Sequence, residues 1–210
     1  MYVAIEGVIG VGKTTLARLI HPSFQAVLLM EVFEENPFLS DFYSDRERYA
    51  FQTQIFFLLS RYHQQHKAIP EALNAGRMII SDYTFDKDSL FARINLKGDE
   101  LTMYYKVHEA LGEKIPVPDL VVYLRADTDM LMQRIAHRDR PYERAMERAY
   151  IDELNHAYDD FFMNSHLNVL TIDTNELNIV SRPEDLAYVE NRIRQTLHLA
   201  PYQESLPLSS

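Results

Sequence analysis

Short apolar runs alternate along this 210-residue chain with longer amphipathic stretches. Five of the runs predict buried strands, at residues 2–5, 26–30, 78–81, 120–124 and 169–172. The stretches between them predict helices, among them residues 46–67, 102–111, 129–137 and 148–164. Strands that alternate with helices indicate an α/β fold, with a five-stranded parallel sheet covered on both faces. Because ligands bind at the carboxyl ends of parallel strands, the residues after each strand are the functional candidates.

The composition fits one globular domain, with 47% hydrophobic and 25% charged residues. We expect residues 1–200 to form this domain and residues 201–210 to be a loose tail. No apolar run reaches the roughly 18 residues of a membrane-spanning helix. The first predicted strand begins at residue 2 and the chain has no cysteine, so we expect no signal peptide and a cytoplasmic location. The net charge of −10 argues against nucleic-acid binding.

A phosphate-binding motif follows the first predicted strand. The segment GVIGVGKT has the P-loop spacing G-x-x-x-x-G-K-[ST], and TTLARLI after it predicts a helix. In this context Lys13 can reach the β- and γ-phosphates of a nucleotide, and the Thr14 hydroxyl can bind Mg²⁺. A glycine-rich turn with a chance lysine would not explain the strand and helix around it. We therefore expect the chain to bind ATP or another nucleoside triphosphate. The predicted nucleotide-binding residues are Gly7, Gly10, Gly12, Lys13, Thr14 and Thr15.

Acidic residues follow the second and third predicted strands. Glu31 could accept a proton from a substrate hydroxyl, although Glu34 and Glu35 compete with it and a solvated loop acid fits equally well. Asp82 follows the third strand in the Walker-B arrangement, which holds Mg²⁺ opposite the P-loop hydroxyl. An aspartate in this place can also cap a loop. The P-loop in the same chain makes us favour the metal role for Asp82.

The predicted helix at residues 46–67 carries two glutamines beside an apolar stripe that is most simply core. Gln52 and Gln54 point about 200° apart, so only one of them can face a given pocket. Gln54 and Arg61 are seven residues apart and share a face. A buried glutamine offers a donor and an acceptor to the edge of a base. Without further evidence, we favour the interpretation that both glutamines are solvated.

A local cationic cluster lies after the fourth predicted strand and its helix, where phosphotransferases have their lid. Arginines on such a lid could neutralise charge on a phosphoryl group during its transfer. The alternative is a solvated face in which these arginines pair with nearby acids such as Glu143. The cluster consists of Arg134, Arg138, Arg140 and Arg144.

Taken together, these residues resemble the deoxynucleoside kinase family, from residue 2 to about residue 173. Besides the P-loop and the two acids, the resemblance rests on the segments FYSDRERYAFQTQ, PDLVVYLRA and RIAHRDRPYE. The segments EENPFLSDFY, FQTQIFFLLSRY and SDYTFDKDSLFARINL are most similar to bacterial deoxyguanosine and deoxyadenosine kinases. The resemblance implies a P-loop kinase with an arginine-rich lid.

The resemblance also implies roles for residues on the acceptor side. Glu31 matches the general base that takes the proton of the substrate's 5′-hydroxyl. Tyr43 and Glu143 match two residues that contact the sugar 3′-hydroxyl. Gln54 matches the glutamine that binds the base, with Gln52 as the competing register. The substrate-binding residues implied in this way are Tyr43, Gln52, Gln54, Arg61, Asp82 and Glu143.

On the donor side, Arg138 and Arg140 match lid arginines that contact the phosphates, and Asp82 matches the acid that helps to hold Mg²⁺. One departure concerns the Glu-Arg-Ser or Asp-Arg-Ser that many members have after the third strand. Here Tyr83 stands in place of the arginine and cannot supply its fixed charge. We hypothesise that Lys87 replaces that cation.

The resulting interpretation is ATP-dependent, Mg²⁺-assisted phosphorylation of the 5′-hydroxyl of a purine deoxyribonucleoside in nucleotide salvage. A nucleoside monophosphate kinase is the alternative enzyme, but it needs extra cations for an acceptor phosphate. A non-catalytic nucleotide-binding subunit is the third possibility, against which the complete set of phosphoryl-transfer residues argues. The partners expected are a deoxynucleoside substrate and, by resemblance, a second copy of the chain in a homodimer. No nucleic-acid or membrane partner is expected.

Overall fold

A five-stranded, all-parallel sheet forms the centre of the computed structural model, which describes residues 1–33 and 35–201. The strand order across the sheet is β2-β3-β1-β4-β5. The fold class predicted from the sequence is confirmed, and every predicted strand is present to within one residue at each end. The strands are β1 (Tyr2–Glu6), β2 (Val27–Leu29), β3 (Ile79–Ser81), β4 (Leu120–Arg125) and β5 (Val169–Asp173). Glu34 and the predicted tail beyond Pro201 lie outside the described residues.

Eight α-helices connect the strands within the described residues. They are α1 (Lys13–Ile20), α2 (Leu39–Ser44), α3 (Arg46–Asn74), α4 (Lys87–Asn95), α5 (Gly98–Gly112), α6 (Thr128–Arg138), α7 (Arg148–Met163) and α8 (Pro183–Thr196). None of the helices in this described part is both long and apolar enough to cross a membrane. The sequence pattern does not predict α4 and α8.

Helix α3 runs to Asn74, well past the predicted end at residue 67, although it contains Pro70. A proline inside a helix removes one backbone hydrogen bond and crowds the preceding turn. Ile69 and Ala72, on either side of Pro70, are buried against the sheet. Their burial offsets the local cost of the proline, so the helix continues.

Strand β1 is buried on both faces, because helices cover both sides of the sheet. Tyr2 and Ala4 pack with Ile69 and Ala72 of α3, whereas Val3 and Ile5 belong to the larger cluster on the opposite face. Strand β1 pairs with β3 on one side and with β4 on the other. The P-loop therefore leaves the sheet at its centre, between the segments that follow β3 and β4.

Two leucines of α1 provide a matched test of this packing. Leu16 is 0% exposed and Leu19 is 37% exposed. We expect Leu16→Ala to lower the free energy of unfolding by about 2–5 kcal/mol, because it leaves a cavity in the core. Leu19→Ala should cost about 0.5 kcal/mol or less. Urea unfolding of both variants measures the difference, and equal losses would contradict the described orientation of α1.

Candidate active site

The P-loop folds tightly between β1 and α1. Gly7 has a φ of +144°, and a β-carbon there would collide with the carbonyl oxygen of Leu124. Gly12 adopts a left-handed conformation, and no side chain caps the N-terminus of α1 that follows it. The first N–H groups of α1 are thus available for an anion, which the helix dipole also favours. The Lys13 ammonium donates to the carbonyl oxygens of Gly7, at 2.6 Å, and Val8, at 3.2 Å.

Asp82 connects the P-loop to the segment after β2. Its Oδ2 accepts a hydrogen bond from the Thr14 hydroxyl at 2.5 Å, and its Oδ1 accepts one from the Glu31 backbone N–H at 2.8 Å. A hydroxyl and a carboxylate are the oxygen ligands that Mg²⁺ prefers. The described residues contain no group of three His, Cys, Asp or Glu side chains that could hold a metal ion. Thr14 and Asp82 thus fit an ion that takes its remaining ligands from phosphates and water.

The Glu31 carboxylate is held by two cations. Its Oε1 accepts from Arg61 Nε at 2.9 Å, and its Oε2 accepts from Lys87 Nζ at 2.6 Å. Burial alone would raise the pKa of Glu31, but Arg61 and Lys87 outweigh this effect and hold the pKa well below its usual range. Glu31 is therefore ionised at neutral pH, with 13% of its side chain still exposed.

Arg61 has a second carboxylate partner, Asp88 at the start of α4. Both residues are almost fully buried, and the other carboxylate oxygen of Asp88 has no hydrogen-bond partner among the described residues. A buried acceptor without a partner is costly. Asp88 was not a candidate from the sequence, although it lies in the segment SDYTFDKDSLFARINL, on which the family resemblance partly rests.

Lys87 is the hypothesised replacement for the missing arginine. Tyr83 is buried and its hydroxyl donates to Gln64 at 2.7 Å. The Lys87 ammonium lies 5.7 Å from the centre of the Tyr83 ring and bonds to Glu31. Burial lowers the pKa of Lys13 to about 8, and the nearby charge of Lys87 acts in the same direction. Two lysines thus face this part of the site from different elements.

A cavity of about 990 Å³ joins the P-loop to this group of charges. Aromatic side chains line its other side, where Tyr43 stacks on Tyr142 with ring centres 6.2 Å apart and Phe33 lies next to Tyr142. Arg61 also lines the cavity. The structure therefore brings together residues that the sequence placed on separate donor and acceptor sides.

The two glutamines of α3 have different surroundings. Gln52 is exposed and Gln54 is buried, on the same side of the helix as Arg61. Of the two glutamines between which the sequence could not decide, only Gln54 points into the protein. Gln54 does not line the cavity itself, so it stands behind the lining rather than in it.

The lid arginines line the cavity but are held by Glu143, which is itself buried. Arg138 Nε donates to Glu143 at 2.7 Å, and an Arg140 nitrogen lies 3.7 Å from the same carboxylate. The Arg140 guanidinium also lies 4.4 Å from the centre of the Phe33 ring. Both arginines are thus paired with Glu143 in this arrangement.

The other two arginines of the cluster have separate surroundings. Arg134 donates to the carbonyl oxygen of Thr174 at 2.6 Å and lies 3.4 Å from that of Val11, so it joins the segment after β5 to the P-loop. Arg144 pairs with Asp139, and both side chains are mostly exposed. Arg144 thus belongs to a solvated face, which was the alternative interpretation. Thr15, on the first turn of α1, is exposed.

Comparison with known proteins is consistent with this geometry. A family model described as deoxynucleoside kinase matches residues 3–198. The deoxyguanosine kinase of Bacillus subtilis is 31% identical over 201 residues, which cover 93% of this chain and 97% of the relative. The deoxyadenosine kinase of Dictyostelium discoideum is 32% identical over 89% of this chain and 76% of the relative. A solved structure of deoxyadenosine kinase from M. mycoides, with the products dCMP and dCDP, superposes with a TM-score of 0.80 at 25% identity. It covers 93% of this chain and 100% of that one.

Proposed function

The chain belongs to the deoxynucleoside kinase family, and we propose that it transfers the γ-phosphoryl group of ATP to the 5′-hydroxyl of a purine deoxyribonucleoside. The family resemblance found in the motifs is confirmed, and with it the enzyme class, a nucleoside kinase of nucleotide salvage. The deoxyguanosine and deoxyadenosine kinases among its relatives support a purine substrate. The homodimer, the cytoplasmic location and the individual residue roles stay predictions.

The contacts of Asp82 are the observation that carries the proposal. One carboxylate accepts hydrogen bonds from the P-loop hydroxyl of Thr14 and from the backbone of Glu31. The residues that would bind the donor phosphates and the residue that would receive the acceptor's proton are thus held side by side. Such an arrangement suits in-line transfer, in which positioning and electrostatics supply most of the rate.

On the donor side, Lys13 and the N–H groups of the P-loop bind the β- and γ-phosphates. Thr14 and Asp82 would hold Mg²⁺, which when bound neutralises part of the phosphate charge. Arg138 and Arg140 exchange their contacts with Glu143 for contacts with the phosphoryl group when nucleotide is bound. Glu143 is then available to the 3′-hydroxyl of the sugar.

On the acceptor side, Glu31 orients the 5′-hydroxyl and accepts its proton. Its depressed pKa makes it a weak base, which suits a loose transition state in which the proton leaves late. Tyr43 lies beside the sugar. Arg61, which lines the cavity, presents its guanidinium to the edge of the nucleobase, with Asp88 and Gln54 buried behind it.

A panel of acceptors tests the proposal directly. With ATP and Mg²⁺, we expect deoxyguanosine or deoxyadenosine to give a kcat/KM about tenfold or more above that of thymidine. Deoxyguanosine monophosphate should not be phosphorylated, because Arg61 and Lys87, the cations beside Glu31, are already paired with carboxylates. Phosphorylation of the monophosphate would indicate a nucleoside monophosphate kinase. Nucleotide binding without turnover of any nucleoside would indicate a non-catalytic subunit.

Glu31→Gln tests the proposed base. The amide has nearly the shape of the carboxylate but cannot take a proton, so we expect kcat to fall about 10²–10⁴-fold while both substrates still bind. Glu35→Gln is the matched control, since Glu35 is exposed and should leave kcat unchanged. Steady-state kinetics and calorimetric binding measure the two effects. Near-normal turnover of Glu31→Gln would assign the base elsewhere, for instance to Glu34.

Lys87→Met tests the proposed replacement of the missing arginine. Methionine keeps the apolar stem in its buried place and removes only the ammonium. We expect kcat to fall about 10- to 100-fold, because the charge near Glu31 and the transferring group is lost. Lys97→Met, at an exposed position before α5, should have no such effect. Unchanged kinetics of the Lys87 variant would remove Lys87 from the mechanism.

A further inference from the structure

The last residue of β1, Glu6, is a buried carboxylate that the proposed transfer does not use. It is 0% exposed, and no cation forms an ion pair with it among the described residues. Its Oε1 accepts from the backbone N–H of Thr84 at 2.5 Å and from the Thr84 hydroxyl at 3.0 Å. Its Oε2 accepts from the N–H of Gly7 at 3.2 Å and from the Tyr158 hydroxyl at 3.4 Å.

These contacts hold both oxygens of the Glu6 side chain. Two of the four partners are backbone N–H groups, which can only donate, and one of them faces each oxygen. Burial raises the pKa of Glu6, and the charges of Lys87 and Lys13 and the bonds from Thr84 offset this rise only in part. A buried group that is hydrogen-bonded at both oxygens holds its partners in place, because breaking these bonds would leave buried N–H groups without an acceptor.

Glu6 lies just beyond the last backbone pair between β1 and β3. The ladder between β1 and β3 has its last pair at Ala4 and Ser81. Beyond this pair the two connections diverge. The one after β1 enters the P-loop at Gly7, and the one after β3 runs through Asp82 towards α4. The carboxylate of Glu6 bridges this gap by bonding to Gly7 on one side and Thr84 on the other.

The bridge extends to the start of α4. The Thr84 hydroxyl oxygen lies 3.3 Å from the backbone nitrogen of Lys87 and accepts its hydrogen bond. Lys87 in turn bonds to Glu31, and the next residue, Asp88, bonds to Arg61. The acceptor side of the site is therefore attached to the P-loop through Glu6 and Thr84, deep beneath the contacts of Asp82.

We infer that Glu6 is a positioning residue for phosphoryl transfer, which sets the distance between the P-loop and the start of α4. The inference rests on the proposed function. Each side of the site keeps its own internal contacts without Glu6: Lys13 bonds within the P-loop, and Glu31 bonds to Arg61 and Lys87. Loss of Glu6 therefore affects the relative placement of the two substrates more than the binding of either one.

Glu6→Gln tests this role with little change of shape. The amide nitrogen cannot accept from the backbone N–H that it would face, that of Gly7 or that of Thr84, so one side of the bridge opens. We expect kcat for the nucleoside that the wild-type chain prefers to fall about 10- to 100-fold. The KM for that nucleoside and the calorimetric Kd for ATP should each change by less than about threefold.

Three further variants separate positioning from a general loss of structure. Thr84→Ala removes one donor and should lower kcat in the same way but by less, whereas Thr84→Ser keeps the hydroxyl and should restore it. The double variant Glu6→Gln/Thr84→Ala should lose no more than Glu6→Gln alone, because the Thr84 hydroxyl acts through Glu6. If Glu6→Gln fails to fold, Thr84→Ala alone carries the test.

The outcomes distinguish this inference from the proposed function. A wild-type enzyme that phosphorylates nucleosides, with Glu6→Gln and Thr84→Ala both within twofold of its kcat, overturns the inference only. So does a fall of kcat that comes with weaker binding of both substrates in parallel with a lowered Tm, since that pattern indicates a structural role. A wild-type chain inactive on every nucleoside overturns the proposed function and this inference with it.

Discussion

The parallel pairing of β1 with β3 is the constraint on which the site depends. It ends at Ala4 and Ser81, so the P-loop and the Asp82 segment leave the sheet at the same level and side by side. Parallel strands need helical crossovers, which cover both faces and leave the carboxyl edge as the open place for ligands. Thr14, Asp82 and Glu31 meet there by short contacts although they come from three different connections.

Much of the fold could be predicted because the strands are short apolar runs between polar segments. Each strand is recognisable without knowledge of its neighbours. Helix α3 is longer than predicted, since local rules against Pro70 do not include the burial of Ile69 and Ala72 beneath it. Helix α2 has only six residues, too few for its sequence pattern to show a helical period.

The parts of the site that could be predicted are those whose residues are close together in the sequence. The P-loop is contiguous, and Asp82 directly follows its strand, so both could be assigned from spacing. The importance of Glu6 depends on Thr84, which is distant in sequence and approaches only when β1 and β3 pair. Asp88 likewise gains its place through Arg61 on another helix. A sequence lists such acids without showing which of them are buried, and burial gives these two their chemistry.

Arg61 bonds at once to Glu31, the proposed general base, and to Asp88 at the start of α4. In the proposed function, one guanidinium therefore contributes both to the binding of the nucleobase and to the charge balance around Glu31. Replacing Arg61 by an uncharged residue to fit a different nucleobase would also leave Glu31 with one cation fewer and alter its charge balance. A substitution of Arg61 that changes the substrate preference is therefore expected to change kcat as well. Changes in preference that spare the rate have to come from residues that do not touch Glu31.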